Sequence, residues 1–157
     1  MAPQTRGAVG AATGLALTLA LACAGAPPTG LGVRDGALAP CPASPNCVSS
    51  AAGDAEHAIE PLAFEGDPAV AWAAARSAVR ELPRTRIVLE SEGYLHAESS
   101  SALFGFVDDL ELWLRPEAGH IAVRSASRVG YSDLGVNRER VEALRTALAQ
   151  RGGPPAP

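Results

Sequence analysis

Alternation between apolar and polar side chains from residue 86 to residue 128 restricts the fold more than any other feature of the chain. The clearest stretch is about residues 108–115, where three leucines alternate with Asp109, Glu111 and Trp113. A two-residue period places successive side chains on opposite faces of a strand. Similar alternation marks residues 86–90, 94–98 and about 120–128. The pattern therefore predicts four antiparallel strands with one apolar and one polar face.

The first two strands are joined by a short turn that predicts their pairing. Residues 91–93, Ser-Glu-Gly, fit a three-residue hairpin loop with glycine at the position of positive φ. This loop pairs Leu89 with Leu95 and Ile87 with Ala97, which places all four on the apolar face. Tyr94, His96 and Glu98 then share the polar face.

The last two strands are joined by a turn over residues 116–119. Pairing across this turn sets Glu111 opposite Arg124 and leaves Asp109 diagonal to Arg124 and Arg128. Opposite charges on neighbouring strands support a register by a few tenths to about 1 kcal/mol each. The polar face is therefore predicted to carry a ladder of acidic and arginine side chains.

Two amphipathic helices flank the strands. The first, about residues 68–82, begins with Asp67 as a cap and a proline in its first turn, and the second, about residues 138–150, follows Asn137 as a cap. The apolar stripes are Trp72, Ala75, Val79 and Leu82 in the first helix and Val141, Leu144 and Leu148 in the second. We predict an α+β fold of order α-β-β-β-β-α, an antiparallel four-stranded sheet with two helices packed on one face.

The N-terminal residues have the features of a bacterial lipoprotein signal. Arg6 supplies one positive charge, and residues 8–22 are uncharged and mostly apolar. This stretch of about 15 residues is shorter than a bilayer span. A small residue, Ala22, precedes Cys23, as lipid attachment requires. We predict a signal peptide over residues 1–22 and lipidation of Cys23, with plain secretion and an uncleaved anchor as the alternatives.

Composition divides the remainder of the chain. Glycine, alanine and proline are concentrated before residue 41 and after residue 151, and such segments are typically flexible. We predict a lipid-attachment cysteine and flexible tether over residues 23–40, a single α+β domain over residues 41–150, and a disordered tail over residues 151–157. The expected location is the bacterial cell envelope, as a membrane-anchored lipoprotein facing the periplasm.

Cys41 and Cys47 remain as a pair once Cys23 is assigned to lipid. In an oxidising compartment a structural disulfide is the favoured interpretation. A metal site would need further cysteine or histidine ligands nearby, and a redox pair would usually be separated by two residues. His57, His96 and His120 have no ligand spacing, so we expect no metal and no cofactor.

The charge of the chain excludes one class of partner. The formal net charge is −4, and the 13 basic residues, all arginine, form no run. Nucleic-acid binding would call for a basic stripe, so we expect none.

Three segments resemble a known family. They are Cys41-Pro42-Ala43-Ser44-Pro45-Asn46-Cys47-Val48-Ser49-Ser50, Gly105-Phe106-Val107-Asp108-Asp109, and Arg124-Ser125-Ala126-Ser127-Arg128-Val129-Gly130-Tyr131-Ser132-Asp133-Leu134-Gly135-Val136-Asn137-Arg138. Together they are similar to the bacterial and plastid family called domain of unknown function 1499, over about residues 40–150. The resemblance implies a small exported or membrane-associated domain and brings no established activity.

The candidate site combines the polar sheet face with the start of the second helix. Its residues are Asp109, Glu111, Arg124, Arg128, Ser132, Asp133, Asn137 and Arg138. Arginine forks and the free N–H groups of a helix start suit an anionic ligand, but such residues also serve as surface ion pairs and caps. No catalytic residue is assigned.

We expect a lipid-anchored envelope module that binds or scaffolds an envelope protein or anionic ligand. The alternatives are a hydrolase or transferase of anionic envelope substrates, with Asp109 and Glu111 as acid and base, and a purely structural lipoprotein.

Overall fold

The computed structural model describes residues 25–151 and confirms an α+β fold with an antiparallel sheet and two helices. The predicted signal peptide, Cys23 and residues 152–157 lie outside the described residues. In chain order the elements are β1 (Cys47–Ser49), β2 (Leu62–Ala63), α1 (Pro68–Glu81), β3 (Thr85–Ser91), β4 (Tyr94–Ser100), β5 (Val107–Arg115), β6 (His120–Ser127) and α2 (Val136–Ala149). A single 3-10 turn, Pro116–Ala118, joins β5 to β6.

The sheet has six strands in the described part of the chain, so the predicted count of four was wrong. Its order is β1-β6-β5-β4-β3, and β2 also pairs with β6. The two additional strands are three and two residues long, too short for a two-residue period to be recognised. Both pair with the outer edge of β6, which is an edge strand in the predicted four-stranded sheet.

The register predicted for β5 and β6 is confirmed. Glu111 pairs with Arg124, and Leu112 pairs with Val123. Apolar alternation and complementary charges specify the same pairing here, because a slip of one residue would bury charge on the apolar side of the sheet.

The register predicted for β3 and β4 is wrong beyond its first residues. Ile87 pairs with Ala97 as expected, but an irregularity between Ile87 and Leu89 shifts the strand, and Leu89 pairs with His96. Glu90 thereby turns toward α1, where both Arg76 and Arg80 form ion pairs with its carboxylate. The shift leaves Leu89 exposed on the other face and reduces the loop to Glu92 and Gly93.

Both helices pack on the apolar face, as predicted. Asp67 caps α1, since its carboxylate accepts a hydrogen bond of 2.8 Å from the N–H of Ala69. The core between helices and sheet is formed by buried apolar side chains, chiefly Leu62, Trp72, Val79, Leu95, Leu110, Leu112, Ile121, Val123, Val141 and Leu144. Within residues 25–151, neither helix is long and apolar enough to cross a membrane.

Residues 25–40, which we call the strap, lie against the opposite face of the sheet. A Cβ on Gly25 would be 2.9 Å from side-chain carbons of Arg128 and Val129. Further along, the N–H of Gly32 donates a hydrogen bond of 2.7 Å to Glu111, and Leu38 is buried. Composition suggested a flexible tether here, whereas the strap makes contacts along the polar face.

The strap ends at a disulfide. Cys41 and Cys47 are bonded, with their Cα atoms 5.6 Å apart, as predicted. Because Cys47 is the first residue of β1, the bond fixes the end of the strap to the edge of the sheet. The strap that lies on the polar face is therefore held at its C-terminal end by the Cys41–Cys47 disulfide.

Candidate functional site

The polar face of the sheet carries a continuous network of charged and polar side chains. Its members alternate along β4, β5, β6 and the residue that follows β6, so that the pleat brings them to one side. We call this set the face network; it comprises Tyr94, His96, Glu98, Asp109, Glu111, Arg124 and Arg128. The four predicted face residues belong to it, but their side chains are largely buried instead of meeting solvent.

Arg128 is the centre of one half of the face network. Its Nε and Nη2 donate to the two carboxylate oxygens of Asp109 at 2.9 and 2.7 Å. Nη2 also donates to Glu98 at 2.5 Å, and Nε2 of His96 lies 2.7 Å from Asp109. A bidentate pair of this kind fixes both side chains in one geometry.

Glu111 is the centre of the other half. Its Oε1 accepts hydrogen bonds from the Tyr94 hydroxyl at 2.8 Å and from the N–H of Gly32 at 2.7 Å. Its Oε2 accepts one from Nη1 of Arg124 at 3.2 Å. The Nε of Arg124 is buried and has no hydrogen-bond partner among the described residues, so Arg124 is less completely paired than Arg128.

Burial and pairing set the protonation of this site. Burial alone would raise the pKa of Asp109, but hydrogen bonds from Arg128 and His96 outweigh it and hold that pKa below its usual value. Hydrogen bonding to Asp109 raises the pKa of Arg128. Burial, followed by the charge of Glu111, raises the pKa of Tyr94. At neutral pH the network thus holds charged Asp109 and Arg128 and a neutral Tyr94 hydroxyl.

Such an arrangement is suited to holding structure together. A general acid or base needs an exchangeable proton within reach of a substrate. Both carboxylates proposed for that role already accept hydrogen bonds from buried donors, and the strap lies over Glu111. The geometry therefore favours a structural or binding role for the face network.

The second group of predicted site residues lies at the start of α2, on the side of the sheet that faces the helices. Asn137 was expected to cap this helix, but the helix begins at Val136, two residues before the predicted start, and Asn137 is fully buried. Gly135 occupies the N-cap position, and Asp133, two residues before it, supplies the side-chain acceptor: its carboxylate accepts from the N–H groups of Gly135 and Asn137 at 3.0 and 2.8 Å. These hydrogen bonds outweigh burial and lower the pKa of Asp133.

The buried amide of Asn137 joins three parts of the chain. Its oxygen accepts from the Ser125 hydroxyl at 2.6 Å, and its nitrogen donates to the Asn46 carbonyl at 3.0 Å and to the Ser127 hydroxyl at 2.9 Å. The cap prediction missed this role, because the residues that bond Asn137 are distant in sequence.

Arg138 and Ser132 complete the predicted set. Arg138 donates to the carbonyl oxygens of Ala58 and Glu56 at 2.8 and 3.0 Å, and exposed Ser132 accepts from the N–H of Leu134 at 3.3 Å. The eight predicted residues thus fall into two groups on opposite sides of the sheet.

Sequence reasoning missed an ion pair beside Asn137. Arg140 donates to Asp108 at 2.6 Å and to Asn137 at 2.6 Å. This pair contributes to the wall of a cleft of about 250 Å³ between the end of α1 and the start of α2. Alternation places Asp108 on the side of β5 that faces the helices. This position could have indicated that an arginine of α2 pairs with it.

The three histidines have separate surroundings. His96 belongs to the face network, and His120 lies 3.2 Å from the carbonyl oxygen of Ala118. The Nδ1 of His57 lies 2.7 Å from Asp54, whose hydrogen bond raises the pKa of His57. Among residues 25–151, no group of three histidine, cysteine, aspartate or glutamate side chains is arranged to hold a metal ion.

Comparison with known proteins gives one result. Residues 37–148 match the model of a family described as protein of unknown function (DUF1499). No curated protein and no solved structure matches the chain. The matched region contains the disulfide, all six strands and nearly all of α2. Since the match covers more than half of the sequence, the chain belongs to the DUF1499 family.

Proposed function

We propose that this protein is a lipid-anchored module of the bacterial cell envelope, facing the periplasm, that binds or scaffolds an envelope component. The observation that carries the proposal is the strap. It begins two residues after Cys23, contacts Arg128 and Glu111, and ends at the disulfide. A domain tied to its own N-terminal segment in this way is held close to whatever Cys23 is attached to.

The envelope location is supported by two independent features of the sequence. The charge-free segment before Cys23 is typical of a secretory signal. The Cys41–Cys47 disulfide suits an oxidising compartment, since such bonds are rare where thiols are kept reduced. Durable attachment would follow from a cysteine that carries two or more acyl chains.

Binding is favoured over catalysis by the pairing within the face network. Asp109 accepts from Arg128 and lies within hydrogen-bond distance of His96, while Glu111 accepts from Tyr94, Gly32 and Arg124. Arg124 is the exception, because its buried Nε has no partner among the described residues. A carboxylate or phosphate from a partner would complete the pairing of this guanidinium group.

Location and attachment are tested by mass spectrometry of the protein as it accumulates in the producing bacterium. We expect the membrane fraction to hold a chain that begins at Cys23, carries acyl groups and contains the Cys41–Cys47 disulfide. Full-length, unmodified protein in the cytosol with both thiols reduced would overturn the proposal.

Binding through Arg124 is tested by partner recovery from envelope extracts after cross-linking. We expect Arg124→Met to lose the recovered component. The matched control is Arg86→Met, which removes an exposed arginine from the neighbouring edge strand, where it pairs with Glu98. Equal recovery of the component with both variants would show that Arg124 does not bind it.

A further inference from the structure

One end of the sheet carries a cluster of exposed apolar side chains. Within residues 25–151, ten large apolar side chains are exposed, and six of them lie in two loops or at the first residue of α2. We call these six the apolar rim; they are Leu103, Phe104, Phe106, Tyr131, Leu134 and Val136. Leu103 is 87% exposed, Tyr131 76% and Leu134 91%. Large apolar side chains that are exposed together in this way often mark an interaction site.

Strand pairing brings the two loops together. Residues 101–106 connect β4 to β5, and residues 128–135 follow β6. The N–H of Arg128 donates to the carbonyl oxygen of Val107 at 3.1 Å, which sets the second loop beside the end of the first. The rings of Phe104 and Phe106 also contact each other, with centroids 5.5 Å apart. Both loops therefore emerge from the same end of the sheet.

The strap begins at this same end. Gly25 lies against Arg128 and Val129, the first two residues of the second loop. Gly25 is two positions after Cys23, and two residues of chain reach at most about 7 Å. A lipid carried by Cys23 would therefore enter its membrane beside the apolar rim.

We propose that the apolar rim inserts into the surface of the bilayer that holds the lipid anchor, so that the domain stands on the membrane in one fixed orientation. This inference rests on the proposed function and adds the surface by which the domain contacts lipid. Aromatic and leucine side chains of exposed loops are suited to the boundary between headgroups and acyl chains.

The distribution of charge at this end favours lipid as the occupant. Residues 101–106 contain no charged side chain, and Asp133 is the one charged residue among residues 129–136. The carboxylate of Asp133 is turned to the start of its own helix, where it accepts from Gly135 and Asn137. Insertion of these two loops would therefore bury no unpaired charge of their own. With a net charge of −4, the contact is apolar in origin and should not weaken at high salt.

The test uses the mature protein, reconstituted into phosphatidylcholine vesicles with and without acyl-chain bromine, which quenches tryptophan on contact. Tyr131→Trp and Leu103→Trp each place a tryptophan in the rim. Glu117→Trp is the matched control, because Glu117 is exposed in the turn at the opposite end of the sheet. We expect brominated lipid to remove most of the added emission from the two rim variants and none from the control, at low and high salt alike.

The outcomes separate this inference from the proposed function. If the protein floats with vesicles but both rim tryptophans are quenched no more than the control, the lipid anchor is supported and the contact of the rim with lipid is overturned. Equal quenching of all three variants overturns the fixed orientation. Protein that fails to float with vesicles overturns the anchor and this inference with it.

Discussion

Replacing Arg128 with alanine removes three hydrogen bonds from the centre of the face network. Two of them go to Asp109, whose side chain is 1% exposed, and one goes to Glu98. Among the described residues, the side chain of Asp109 would keep only His96 within hydrogen-bond distance. Because breaking a buried ion pair leaves an uncompensated charge, we expect the free energy of unfolding to fall by about 3–5 kcal/mol.

Arg86→Ala is the matched control for this prediction. Arg86 also donates to Glu98 at 2.5 Å, but its side chain is 74% exposed. An exposed pair contributes at most about 1 kcal/mol. Urea denaturation of both variants, followed by tryptophan fluorescence, measures the difference. If Arg128→Ala costs no more than Arg86→Ala, the face network does not hold the fold together.

Comparison of the native protein with Arg128→Ala also tests how stability depends on pH. The folded pKa of Asp109 lies below its unfolded value, so its stabilising contribution is present above the unfolded pKa and is lost as pH falls through the folded one. We expect the gap in stability between the native protein and Arg128→Ala to be full at pH 7 and to narrow below about pH 5. A gap that widens in acid would contradict this assignment.

Three smaller changes test other parts of the structure by urea denaturation. The double variant Cys41→Ser and Cys47→Ser should lose about 2 kcal/mol, since the bond closes a short loop; no loss would contradict a structural role. Asp133→Ala should lose about 1 kcal/mol of helix capping, and Asp133→Asn should lose less because it keeps an acceptor. Tyr94→Phe should cost about 1–2 kcal/mol, because the carboxylate of Glu111 loses one donor; unchanged stability would exclude this hydrogen bond.

Periodicity predicted the parts of the fold in which side-chain pattern and pairing carry the same information. In β5 and β6, leucine alternation and the Glu111–Arg124 charge pair both specify one register. In β3 they conflict: apolar alternation puts Leu89 on the core face, whereas Arg76 and Arg80 of α1 draw Glu90 there. The irregularity between Ile87 and Leu89 places Glu90 on the helix side, and the strand pattern contains neither of the arginines that pair with it.

The strap was missed because its hydrogen bond to the face network uses the backbone. Gly32 reaches Glu111 through its N–H, a group that almost every residue possesses and that no composition reveals. Glycine at residue 25 permits close approach to Arg128, yet glycine-rich sequence also describes flexible chain. The sequence therefore predicted which side chains occupy the polar face, but it did not predict that residues 25–40 cover them.

The candidate site was divided for a similar reason. Residues close in sequence to β6 were expected to lie close to its polar face. The chain instead turns around the end of the sheet after Arg128, and Asn137 returns to Ser125 and Ser127 on the helix side. Asn46 sets this turn: its carbonyl oxygen accepts a hydrogen bond from the side chain of Asn137, and its own side-chain amide donates to the carbonyl oxygen of Gly130.

Amide hydrogen exchange of residues 25–40 tests the central claim most directly, because the strap lies between the proposed anchor at Cys23 and the face network. The N–H of Gly32 donates to a fully buried carboxylate, and Arg34 and Ala37 exchange backbone hydrogen bonds with each other. We expect Gly32 to exchange far more slowly than an unprotected amide, at a rate approaching that of the central strands. Exchange of the whole segment at the unprotected rate, while β5 stays protected, would contradict the account.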